Sequence, residues 1–172
     1  AEDVKLLREI CEAWGRSVPI ISKVETPSAV EDIDQIAAAS DGMMVARGDL
    51  GVELPPEQVP VVQKRIIAAG RKFNCPVIVA TEMLHSMQKS ARPTRAEASD
   101  VAHAIFDGAD AVMLSGETAT GDHPTVACSM MARIVREAER SPYYFQPLLT
   151  EPKRGGSVAE SIARNAVDIA EE

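Results

Sequence analysis

Four stretches of the 172-residue sequence end in polar side chains suited to binding a metal ion or stabilising an anionic intermediate. Lys23 and Glu25 close the run IISKVE, two positions apart, so in a strand they project together on one side. An ammonium and a carboxylate so placed form either a structural ion pair or part of a site. The run MMVA leads into Arg47-Gly48-Asp49-Leu50-Gly51, where two glycines flanking an aspartate let a backbone approach a ligand and leave amide N–H groups for an anion. The alternative is a tight Gly-Asp turn. VIVAT ends at Thr81 and Glu82, and AVMLS ends at Ser115, followed by Gly116, Glu117 and Thr118. Helix-capping turns are the ordinary fate of such hydroxyl residues. Taken together, Glu25 and Asp49 offer hard oxygen ligands to a divalent ion that keeps some of its water, as Mg²⁺ does. Lys23 beside that ion would stabilise an enolate oxygen.

The apolar pattern between these stretches says what must position them. Val4, Leu7, Ile10, Cys11 and Trp14 recur at helical spacing, predicting a first helix from Glu2 to Trp14. VPIISKVE then reads as a buried strand. Thr26 and Pro27 open a helix with Val30, Ile33, Ile36 and Ala37 inward. After the strand MMVA, a helix following Pro56 turns Val59, Val62, Ile66, Ala69 and Phe73 inward. Thr94 and Glu97 have capping-box spacing for a helix that Gly108 closes. Pro124 starts a helix with Val126, Met130, Met131, Ile134 and Ala138 on its face.

Four strands each followed by a helix imply the α/β class with parallel pairing. Four βα units cannot by themselves close an eight-stranded TIM-type (β/α)8 barrel, so the pattern reads as a piece of something longer. The polar groups would then lie together at the C-terminal ends of the strands, where barrels place their chemistry. Past Glu139 the pattern gives way to SPYYFQPLLTEPKRGG, a linker over 141–156. Ser157 and Glu160 form a second capping box opening a helix with Val158, Ile162, Ala166 and Ile169 inward.

A formal net charge of −8 argues against a nucleic-acid partner. No run approaches the roughly 18 apolar residues of a membrane span, which points to a soluble cytoplasmic protein without a membrane partner. Cys11, Cys75 and Cys128 are odd in number and far apart, suiting reduced core thiols. The three histidines have no metal-ligand spacing.

The segments IISKVE, SDGMMVARGDLGVELP, VPVVQKR, PVIVATEMLHSM and RPTRAEASDVAHAIFDGADAVMLSGETATGDHP resemble the second half of the catalytic barrel of the pyruvate kinase family, almost continuously from Val18 to Glu139. The last helix resembles the start of that family's C-terminal regulatory domain. The implied organisation is a partial barrel over 1–140, the linker, and that helix over 157–172.

The resemblance implies phosphoryl transfer from phosphoenolpyruvate to ADP, the last step of glycolysis, giving ATP and pyruvate after protonation of an enolate. It implies catalytic roles for Lys23, Thr81, Ser115 and Glu117, substrate contacts from Gly48, Asp49 and Thr81, and Mg²⁺ or Mn²⁺ held by Glu25 and Asp49. It also implies K⁺ dependence, with the K⁺ ligands and a phosphoryl-binding arginine and asparagine in segments outside this sequence, so that the chain alone is expected to be inactive or weakly active. A homo-oligomer, tetrameric in the parent enzyme, is implied as well. Glu82 stands where many members carry glutamine; the extra carboxylate either alters a neighbouring pKa or the metal affinity, or points out of the pocket. Two other readings share part of the pattern. A metal-dependent pyruvate-enolate aldolase or lyase would use a similar Glu and Asp, without Lys23, RPTRAEASD or MLSGETA as signatures. A non-catalytic half-barrel would self-associate through its open strand edges.

Overall fold

The structure is a computed structural model, and it describes residues 1–144 and 158–171. The elements in chain order are α1 (Glu2–Ala13), β1 (Ile21–Val24), α2 (Pro27–Glu31), α3 (Ile33–Ala39), β2 (Gly42–Ala46) and α4 (Arg47–Glu53). There follow α5 (Val59–Phe73), β3 (Val77–Ala80), α6 (Arg95–Phe106), β4 (Ala111–Met113), α7 (Gly116–Ala119), α8 (Pro124–Glu139) and α9 (Val158–Glu171). Short 3-10 turns at Pro56–Gln58 and His85–Gln88 lead into α5 and follow β3.

The four strands form one parallel sheet in the order β1-β2-β3-β4, so the expected α/β class is observed. Both β1 and β4 are edge strands, and among the described residues the sheet is open rather than closed. Because side chains alternate faces along a strand, Val24, Met43, Val45, Val77 and Val79 point into a core shared with Val30, Ile36, Ile66, Val101 and Ala104 from the helices. On the opposite face one register row joins Lys23, Met44, Ile78 and Ala111, all half-buried or exposed. Parallel pairing puts the C-terminal ends of all four strands at one edge of the sheet. This is what delivers the polar groups to a common region.

Local chemistry explains the helix starts. Thr26 accepts the N–H of Ala29 at 3.3 Å with Pro27 in the first turn, and Thr94 and Glu97 form the complete capping box. The structure breaks the helix expected after Pro27 at Asp32 into α2 and α3, and adds α4 in place of a Gly-Asp turn. Strands are shorter than the apolar runs. VPIISKVE contributes four paired residues and AVMLS three.

Several inward assignments are corrected. No residue of α1 is buried and Trp14 is 81 % exposed; Val4, Arg8 and Cys11 are half-buried, and Arg8 donates to the Ala39 carbonyl at the end of α3 and to Asp41 beyond it. Phe73 and Val126 are exposed at helix ends, where neighbours fall away, and Ala127 is buried instead. Val158, Ile162 and Ile169 of α9 are exposed, and the Ser157 capping box lies outside the described residues, as does most of the 141–156 linker. Of the cysteines only Cys75 is buried; Cys11 is half-buried and Cys128 exposed, and all are free thiols.

Candidate active site

Lys23 is the penultimate residue of β1, Glu25 follows that strand, and Asp49 lies in the first turn of α4, immediately beyond β2. The side-by-side pairing of β1 and β2 brings all three together. Lys23 Nζ donates to Asp49 Oδ2 at 2.7 Å and pairs at still closer range with Glu25. All three side chains are 40–53 % exposed, so the cluster is open to solvent and ligand. The hydrogen bonds to Asp49 and then Glu25 raise the Lys23 pKa above its ordinary value. Reciprocally, the hydrogen bond from Lys23 holds Asp49 below the usual carboxylate range. Two carboxylates thus converge on one cationic group. Among the described residues no cluster of three or more His, Cys, Asp or Glu side chains suits a metal.

Thr81 follows β3 and sits beside Gly48. The Gly48 N–H donates to Thr81 Oγ1 at 2.7 Å, so this amide is engaged by protein rather than left open as the glycine pattern suggested. Thr81 and Glu82 have φ of +69° and +55°, a region that β-branched residues in particular avoid. Glu82 is exposed.

Ser115 and Glu117 belong to a different set of contacts. Glu117 is 2 % exposed, and its two carboxylate oxygens accept the backbone N–H groups of Leu84 at 3.1 Å and Ser115 at 2.8 Å. Through these two bonds Glu117 ties the segment after β3 to the turn after β4. Ser115 precedes α7 without a side-chain capping bond.

Sequence reasoning passed over two residues that matter here. Arg47 is buried; its Nη1 donates to both carboxylate oxygens of Asp100 on α6, at 2.8 and 2.7 Å, while Nε and Nη2 donate to the Thr81 carbonyl. No local pattern links positions 47 and 100. The available signal was general: an arginine placed where a buried strand ends must find a carboxylate.

Residues 1–128 match the family model described as pyruvate kinase, barrel domain. The chain belongs to the pyruvate kinase family. A pyruvate kinase of Mycobacterium intracellulare is 52% identical over 163 residues, covering 95% of this chain and 34% of that protein. The pyruvate kinase of Corynebacterium glutamicum is 58% identical over 137 residues, 80% of this chain and 29% of the relative, and that of Thermotoga maritima 49% over 147 residues, 86% and 32%. The chain therefore spans about a third of the length of the curated pyruvate kinases it matches. The resemblance read from the sequence is borne out at the level of the family. No helix among the described residues is long and apolar enough to cross a membrane.

Proposed function

We propose that the whole protein transfers the phosphoryl group of phosphoenolpyruvate to ADP, and that the residues described above form the part of its site that handles the enolate and the divalent ion. The observation that carries this reading is the convergence of Lys23, Glu25 and Asp49 at the ends of adjacent parallel strands. Phosphoryl transfer asks chiefly for positioning and charge neutralisation, and this cluster can supply both.

Glu25 and Asp49 fit a divalent ion: their oxygens are hard donors, they are solvent-accessible, and they already share one cation. Mg²⁺ or Mn²⁺ held there would neutralise charge and polarise substrate oxygens. Substrate and water would complete the coordination. The Lys23 ammonium stabilises negative charge developing on the enolate oxygen. Since Thr81 Oγ1 accepts the Gly48 amide, its own O–H remains to donate elsewhere, and a hydroxyl coupled to water serves to protonate the enolate carbon. Ser115 lines the same end of the sheet, and Glu117 holds the loops that shape it.

In the same reading, residues 1–140 are part of a (β/α)8 barrel, 141–156 a linker and 157–172 the first helix of a regulatory domain, in a homo-oligomeric parent. The K⁺ ligands and the remaining phosphoryl-binding groups lie in other segments of the family, so the 172-residue chain has little or no kinase activity by itself. A coupled assay showing normal turnover would overturn that statement.

The test of the enolate site is Mg²⁺-dependent exchange of pyruvate methyl protons with deuterated water, followed by NMR on this chain and on Lys23→Met. Exchange that disappears in the variant supports the assignment. Exchange that survives it removes Lys23 from the chemistry. No exchange in either assigns enolisation to the longer enzyme alone.

A further inference from the structure

Thr81 and Glu82 are consecutive non-glycine residues with left-handed φ, and Thr81 is β-branched. Such backbone persists only where its surroundings over-determine it, and the constraint here is visible. Arg47 Nε and Nη2 donate to the Thr81 carbonyl at 3.1 and 2.7 Å, and the next residue, Gly48, donates its N–H to the Thr81 hydroxyl at 2.7 Å. Two successive residues at the end of β2 therefore grip both polar ends of one residue at the end of β3. A third element locks the grip. Asp100 on α6 takes the remaining nitrogen of the guanidinium, Nη1, on both of its carboxylate oxygens, and Arg47 Nη2 also contacts Met83 Sδ at 2.9 Å.

We propose that Arg47, anchored by Asp100, is a positioning residue that holds Thr81 in its strained conformation and so aims its hydroxyl, and the Gly48–Asp49 segment with it, into the site. The inference rests on the functional reading of Thr81 given above. A fork of five donors is what this task requires. Lysine, a point charge, cannot grip a carboxylate and a carbonyl in fixed mutual orientation. A purely structural arginine would stabilise the sheet as a whole. A positioning one governs the Gly48–Thr81 contact and leaves the sheet alone.

The experiment uses the 172-residue chain and the variants Arg47→Lys and Asp100→Asn, with Thr81→Val as the reference that removes the acceptor. Amide hydrogen exchange is read by NMR at Gly48 and at Val45 and Val79 in the neighbouring strands. The expected result is Gly48 exchange about tenfold faster in both variants, approaching the Thr81→Val rate, with Val45 and Val79 unchanged. Gly48 protection that stays intact in both variants overturns the proposal, and so does acceleration spread equally over all three amides in Asp100→Asn, the milder change. The second readout is capture of oxalate, a planar mimic of the enolate, by the chain saturated with Mn²⁺. Weakening by about tenfold in Arg47→Lys accompanies the positioning role. Unchanged oxalate affinity with Gly48 protection lost denies that the clasp serves the site. Failure of the unaltered chain to bind oxalate counts against the functional reading, while Gly48 exchange still decides the clasp.

Discussion

Lys23 Nζ stands 2.7 Å from Asp49 Oδ2, joining the end of β1 to the first turn beyond β2. The contact spans 26 residues of sequence and exists because strands β1 and β2 pair in parallel register, with Lys23 opposite Met44. In the structure the ammonium takes the position between two carboxylates that the functional reading gives to a divalent ion.

Metal and ammonium therefore compete for Glu25 and Asp49. Lys23→Met is expected to bind Mn²⁺ about two- to fivefold more tightly, the scale of one exposed ion pair, as read by water-proton relaxation. Equal affinity would show that Lys23 yields the carboxylates without cost.

The same cluster has a pH signature. Asp49 is held below its ordinary value, so its contribution to stability is present above the usual aspartate range and is lost as pH falls through the depressed folded value. Lys23 is raised, so its contribution is present below the ordinary lysine value and is lost as pH climbs through the elevated one. The difference in urea midpoint between the chain and Lys23→Met should be largest near neutrality and shrink at both extremes. A difference independent of pH would refute the linkage.

Glu117 is the tie between the segments after β3 and β4. Glu117→Gln puts an amide NH₂ against one of two backbone N–H donors and should cost about 1.5–3 kcal/mol in urea unfolding. A loss under half a kcal/mol, roughly the scatter of surface substitutions, would mean that the carboxylate is dispensable.

Two glycines should respond in opposite senses. At Gly70 an added Cβ would strike Val77 and stand 2.6 Å from the Cys75 carbonyl, so Gly70→Ala should destabilise by about 1–3 kcal/mol. At Gly51, inside α4, nothing lies within 4 Å and φ is not left-handed, so Gly51→Ala should stabilise by about 0.5–1 kcal/mol. Thermal melts of the two variants decide both.

The order of strands and helices was legible because apolar spacing reports burial directly, and capping residues such as Thr26 and Thr94 act within three positions of themselves. The pair Lys23 and Glu25 was legible for the same reason: alternation along one strand needs no knowledge of its neighbours. The short helix α4 was missed, since Gly-Asp-Leu-Gly has weak local preference and forms its turns against α5. The break at Asp32 and the exposure of Trp14 likewise depend on what packs nearby.

The sequence by itself determined the α/β pattern, the family, and the set of polar residues gathered at the strand ends. Only the tertiary structure decided which of them meet. It paired Lys23 with Asp49, spent Glu117 on backbone amides, and set Arg47 between Asp100 and Thr81. These contacts join residues 26 to 53 positions apart, apart from the local Glu117–Ser115 bond, and strand register and helix packing create them. Local spacing carries no record of such distances.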